Sequence, residues 1–131
     1  MTGNDILERA LDLCALHDEN VASGGEARGD LRDLKARAPA LLNTLIAELN
    51  PLHERITRQE KEIRLLRTMT ETVDLHPGIT GSLLPFRLAA LLIAEEDPEL
   101  SRVLGEYARD ARAALLTDGK TVTHRILEVY G

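Results

Sequence analysis

The chain has 131 residues, the usual size of one domain, and carries 22 acidic against 16 basic side chains for a formal charge of -6. Its only aromatic residues are Phe86, Tyr107 and Tyr130, and Leu and Ala dominate, a composition that favours helix over sheet. The acidic balance argues against a surface that grips nucleic acid by neutralising phosphates, and a single cysteine, Cys14, excludes an internal disulfide.

From the start, Asn4 reads as an N-cap, with Ile6, Leu7, Ala10, Leu11 and Cys14 at helical spacing on one face, so a first helix is expected over Asn4 to Leu16. His17 to Gly29 is polar and contains Ser23, Gly24 and Gly25, which reads as a mobile loop. The helical period resumes with Asp30 as cap and runs through Leu31, Leu34, Ala38, Leu41, Leu42, Leu45, Ile46, Leu49, Leu52 and Ile56. Pro39 and Pro51 are expected to bend this helix without breaking it.

Arg55 to Arg67 is dense in charge of both signs, and its conformation is left open by the pattern. Thr68 to Val73, followed by Asp74, Leu75, His76, Pro77 and Gly78, has extended or turn chemistry. The dominant element comes next. Every residue from Leu88 to Ala94 is apolar, so Leu83 to Asp97 reads as a central helix buried on all sides, too short to cross a bilayer. Its expected core contains Leu88, Leu91 and Leu92 with Leu7, Leu11, Leu42, Leu45, Leu104 and Tyr107. Pro98 favours a boundary near Asp97 and suits the first turn of another helix.

That next helix carries Leu100, Val103, Leu104, Tyr107, Ala108, Ala111 and Leu115 inside and Glu99, Arg102, Glu106, Arg109, Asp110 and Arg112 outside, and is expected to end near Leu116. Asp118 and Gly119 signal a turn. Thr121 to Tyr130 is β-branched at Thr121, Val122, Thr123, Ile126 and Val129, which predicts an extended tail in need of an edge or groove. The expected fold is therefore all-α, a small helical bundle around a central buried helix (1–116) with mobile loops and an extended C-terminal tail (117–131). Thr121, Val122, Ile126, Leu127, Val129 and Tyr130 are the candidate partner-binding residues.

The pattern specifies no reaction. His17, His53, His76 and His124 are scattered, with no spacing that sets two metal ligands on one helix face. Cys14 reads as a small core residue, Glu95, Glu96 and Asp97 as helix-terminal charges, and Gly78-Ile79-Thr80-Gly81 as a helix entry. Arg55, Arg58, Lys61, Arg64 and Arg67 recur every third residue, but Glu54, Glu60 and Glu62 dilute their field, so a solvated face outweighs an anion-binding stripe. No catalytic residue, metal or cofactor is expected, and Met1 begins no signal segment, so the expected compartment is the cytoplasm.

The order of features resembles a family. N-D-I-L-x-R-A-L from Asn4, L-L-N-x-L-I-A-E-L over Leu41 to Leu49, V-D-L-H-P over Val73 to Pro77, L-L-P-F-x-L-A-A-L-L over Leu83 to Leu92 and E-E-D-P-E-L-S over Glu95 to Ser101 are similar to the small head-tail adaptor, or head-completion, proteins of tailed phages and prophages. Val129-Tyr130-Gly131 fits the same group. The resemblance implies a structural protein without catalysis, found in the host cytoplasm and, once assembled, in the virion. It implies a homo-oligomeric ring beneath the portal protein, contact with a tail-completion protein, DNA passing through the channel without sequence recognition, and no membrane. Two other readings compete: a helical interaction module such as a secretion chaperone, and a small enzyme resembling a chorismate mutase that would gather Arg37, Arg55, Arg58 and Lys61 around a dicarboxylate.

Overall fold

A computed structural model of the chain describes residues 1–16, 26–60 and 63–130, with side chains described for 1–14, 32–60 and 63–117. The all-α bundle expected from the sequence is present. In order it comprises α1 (Gly3–Leu16), α2 (Glu26–Thr57), a π-helical turn (Ile79–Leu83), α3 (Leu84–Ile93) and α4 (Pro98–Tyr130). The loop predicted at His17 to Gly29 lies outside the described residues as far as 25. The core is one cluster, and Leu84, Leu88, Ala89 and Leu92 of α3 are wholly or almost wholly enclosed in it with Ile6, Leu42, Leu45, Ile46 and Leu104. A helix of mean apolar character over its whole circumference can be stable only inside such a cluster, so α3 is the axis and α1, α2 and α4 wrap it.

The helix ends differ from the sequence reading in instructive ways. α1 is capped by Thr2, whose hydroxyl accepts from the Asp5 amide at 3.1 Å while the Asp5 carboxylate accepts from the Thr2 amide at 2.9 Å. This reciprocal box satisfies two free amides and places the cap at Thr2, two residues before Asn4. α2 starts at Glu26, so Glu26 to Gly29 is helical and Asp30 lies inside the helix. Glu, Ala and Arg are strong helix formers, and one glycine, at about 1 kcal/mol, does not terminate a helix that needs no new nucleus. Pro39 and Pro51 also lie within this one helix.

The central helix is shorter at its end and begins earlier than its apolar run suggests. The π-turn precedes it, with the Leu84 amide donating to the Ile79 carbonyl, and α3 stops at Ile93 ahead of a turn at 94–96. Pro85 has no amide to offer the Gly81 carbonyl four residues back, and Arg9 of α1 donates to that oxygen instead at 2.7 Å. Asp97 then caps α4, its carboxylate accepting from the Leu100 amide at 3.0 Å, with Pro98 in the first turn.

α4 does not end at Leu116. It runs to Tyr130, so the segment expected to be an extended tail is helical. The β-branched residues at Thr121, Val122, Thr123, Ile126 and Val129 lower helix propensity by only a few tenths of a kcal/mol each. Extending an existing helix is cheaper than leaving an unpaired strand. Three members of the expected core are also corrected: Leu11 and Leu91 are half-buried and Tyr107 is 43% exposed.

Among the described residues of 58–76 there is no helix. Arg58 takes a left-handed φ of 57° and ends α2, its amide still reaching the Glu54 carbonyl at 2.7 Å. The chain then runs back along the bundle and meets its own first residues: the Gly3, Asn4 and Val73 amides donate to the Glu71, Met69 and Met1 carbonyls, around an antiparallel bridge between Thr2 and Thr72. The extended or turn chemistry expected of Thr68 to Val73 is thus present as a turn, with the Glu71 amide donating to the Thr68 carbonyl, followed by the bridge at Thr72.

Candidate functional site

Side chains that the sequence presents as possible chemistry are occupied in holding the backbone. His53, buried on α2, accepts the His76 amide on Nδ1 at 2.9 Å, and His76 accepts the Gly78 amide on its own Nδ1 at 3.0 Å. Each therefore presents an unprotonated Nδ1. Together they seat the turn from which the π-turn and α3 start. Cys14 is buried with its sulfur 3.8 Å from the Ala89 carbonyl, and its thiol is pushed up to about 11 by burial, with Glu96 adding to the shift. Such a thiol is a poor nucleophile.

The C-terminal end of α3 is where three other helices converge. Besides Cys14 of α1 at Ala89, Arg37 of α2 donates to the Leu92 carbonyl at 3.2 Å and Ser101 of α4 to the Ala90 carbonyl at 2.6 Å. The amides of Glu96 and Asp97 meet the Ile93 carbonyl. A cation at this end also complements the helix dipole, which Glu95 and Glu96 oppose. The expected reading of the acidic trio as helix-terminal charge agrees with this placement.

The arginine-rich stretch does not wind as one helix. Arg55 lies on α2, Arg58 ends it, and exposed Arg64 and Arg67 lie on the extended return, while Lys61 is outside the described residues. The cluster needed for dicarboxylate binding is not assembled either. Arg37 and Arg55 stand on one continuous helix about 27 Å apart, and Arg37 is committed to Leu92. Among the described residues no three His, Cys, Asp or Glu side chains converge to hold a metal ion, and no helix is long and apolar enough to cross a membrane. His17 and the side chain of His124 lie outside the described residues.

This leaves the surfaces. α4 is about 50 Å long and antiparallel to α3: Ser101 meets Ala90, the Tyr107 ring lies 5.6 Å from that of Phe86, and Leu115 reaches Gly78. Along α4 the buried stripe Leu100, Leu104, Ala108 is followed by half-buried Ala111 and Leu115, and positions 122, 126 and 129 keep the same helical register. Of the candidate tail residues, Val122, Ile126, Val129 and the adjacent Tyr130 share that face, whereas Thr121 and Leu127 fall on either side of it. Their side chains are beyond those described.

Two determinants escaped the sequence reading. Asn43 clamps the backbone of Leu66, and the charges on the outside of α4 are sorted by sign. The second was legible, since acids at 99, 106 and 110 and bases at 102, 109 and 112 occupy different helical faces; the first depends on a chain crossing that no local pattern encodes. No protein-family model, curated protein or solved structure matches this chain.

Proposed function

We propose that this protein is a small structural adaptor of the head-tail connector of a tailed phage or prophage, joining a homo-oligomeric ring below the portal protein and offering a surface to the tail-completion protein. One observation supports the reading: all five segments that bear the resemblance contribute to one core, and residues within them hold the backbone around it. Asn43 of L-L-N clamps Leu66, His76 of V-D-L-H-P seats the π-turn, Pro85 of L-L-P-F is complemented by Arg9 of the first segment, and Asp97 of E-E-D-P caps α4. In this reading the protein performs no catalysis, resides in the host cytoplasm before assembly and in the virion after it, and binds no membrane.

A charge of -6 suits a subunit that lines a DNA passage without holding the DNA, because like charge weakens phosphate contacts. The helical end of α4 replaces the extended arm as the element that reaches a partner, in the manner of a helix laid into a groove. The test is genetic. Deleting the gene from its phage or prophage should yield DNA-filled heads and free tails that do not join, and the tagged protein should be recovered with portal protein. Normal particles from the deletion strain would sink the proposal.

A helical interaction module of the secretion-chaperone kind would be favoured by one uninterrupted helix over Asp30 to Arg67; α2 passes both prolines but ends at Thr57, so it meets that condition only in part. Copurification with a secreted substrate in place of portal protein would favour it.

A further inference from the structure

The outer face of α4 is divided by charge sign. At 3.6 residues per turn, Glu99, Val103, Glu106, Tyr107 and Asp110 fall to one side of the buried stripe Leu100, Leu104, Ala108, and Arg102, Gly105, Arg109 and Arg112 fall to the other. All of these lie at the surface or half-buried. Arg102 and Glu106 reach each other across the ridge at 2.7 Å, whereas Glu99, Asp110, Arg109 and Arg112 have no ion pair among the described residues. The two flanks also differ in relief. Tyr107, 43% exposed, stands out beside Phe86 on the acidic flank, and on the basic flank Gly105 leaves open space, since a Cβ there would meet nothing within 4 Å.

We propose that these flanks recognise each other between copies of this chain, the acidic, Tyr107-bearing flank of one α4 lying against the basic, Gly105-bearing flank of the next. If neighbouring α4 helices run side by side in the same direction, Asp110 stands level with Arg109 and Arg112 of the next copy, Glu99 with its Arg102, and Tyr107 with its Gly105, each within one helical turn of about 5.4 Å. A two-fold contact of either flank with itself would oppose like charges or leave Tyr107 against Tyr107. The sorted charges therefore favour a head-to-tail contact, the kind that repeats around a ring. The occupant of this face is thus a second copy, and the inference rests on the ring proposed above for the parallel arrangement alone.

Sedimentation velocity of the full chain, over a range of concentrations in low and high salt, tests it. The wild-type protein should associate as concentration rises and dissociate as salt is added. Asp110→Arg and Arg109→Asp should each remain monomeric with unchanged helical circular dichroism, and mixing the two should restore association, because every flank then finds an opposite one. Tyr107→Ser should weaken association while leaving its salt dependence in place. A wild-type chain that is monomeric at every concentration, or a mixture that fails to reassociate, overturns the inference. Association that ignores both reversals overturns this contact and leaves the ring proposal standing, which recovery with portal protein decides separately.

Discussion

The side-chain amide of Asn43 occupies both backbone hydrogen-bonding groups of Leu66: its oxygen accepts the Leu66 amide at 2.8 Å and its nitrogen donates to the Leu66 carbonyl at 2.9 Å. A helix side chain thus stands in for a neighbouring strand and fixes the return segment between Ile63 and Arg67 against α2. Asn43→Leu would leave a half-buried donor and acceptor without partners, at a cost of about 1 to 3 kcal/mol. Urea denaturation should show that loss, and amide exchange at Leu66 should rise more than at Leu45.

The core makes a contrast within α3. Leu88 is fully enclosed, whereas Leu91 is half-buried. Leu88→Ala should cost about 2 to 5 kcal/mol, and Leu91→Ala distinctly less, because water can fill the space left at the surface. Equal losses by thermal or urea unfolding would contradict the placement of α3 as the axis.

Two glycines in helices should respond in opposite directions to alanine. A Cβ on Gly105 meets nothing, so Gly105→Ala should stabilise by about 0.8 to 1 kcal/mol through helix propensity. A Cβ on Gly3 would lie 2.9 Å from a Leu66 methyl and 3.2 Å from the Met69 backbone. Gly3→Ala should therefore lower the melting temperature despite its better propensity.

Acid should weaken the junction of α1 with the return segment. Hydrogen bonds from the Thr2 amide, then from its hydroxyl, hold the Asp5 carboxyl below its ordinary value; the Thr68 amide, then that of Arg67, does the same for Glu71. Both carboxylates bind fewer protons in the folded chain than in the unfolded one. Their contribution is therefore present above the ordinary carboxylate range, near pH 4, and is lost as pH falls through their lowered folded values. The double variant Asp5→Asn, Glu71→Gln should show a shallower decline of stability over that window.

Cys14 offers a probe of opening. With its thiol pushed up to about 11 and its sulfur enclosed, alkylation at neutral pH should proceed at the rate of unfolding and accelerate in step with urea. Rapid labelling of the native protein would place α1 elsewhere.

What the sequence makes legible here is whatever depends on a single period. The apolar stripes of α1, α2 and α4 and the all-apolar run of α3 identify the bundle and most of its core, because burial repeats every turn. What it hides depends on meetings between distant residues. Asn43 pairs with a backbone 23 positions away, and Arg9 supplies the hydrogen bond that Pro85 withholds from Gly81 at a separation of 72. The tail misled for a related reason: β-branched residues state a local preference, whereas an existing helix carries that preference along with it. Of the candidate partner residues, the pattern picks out the apolar face of α4 but assigns it a strand conformation.

The pairing of residues 1–4 with residues 69–73 also sets an order of events during synthesis. α1, with 14 residues, is of a length at which an isolated helix is only marginal in water, and the Thr2 box alone adds little. Its backbone partners emerge some seventy residues later, and its packing partner α3 only after those. α1, made before both, must therefore wait for these partners until residues 69–93 have left the ribosome. Nascent chains stalled before Val73 should leave Ile6 and Leu7 open to a chaperone, whereas chains extended past Ile93 should conceal them.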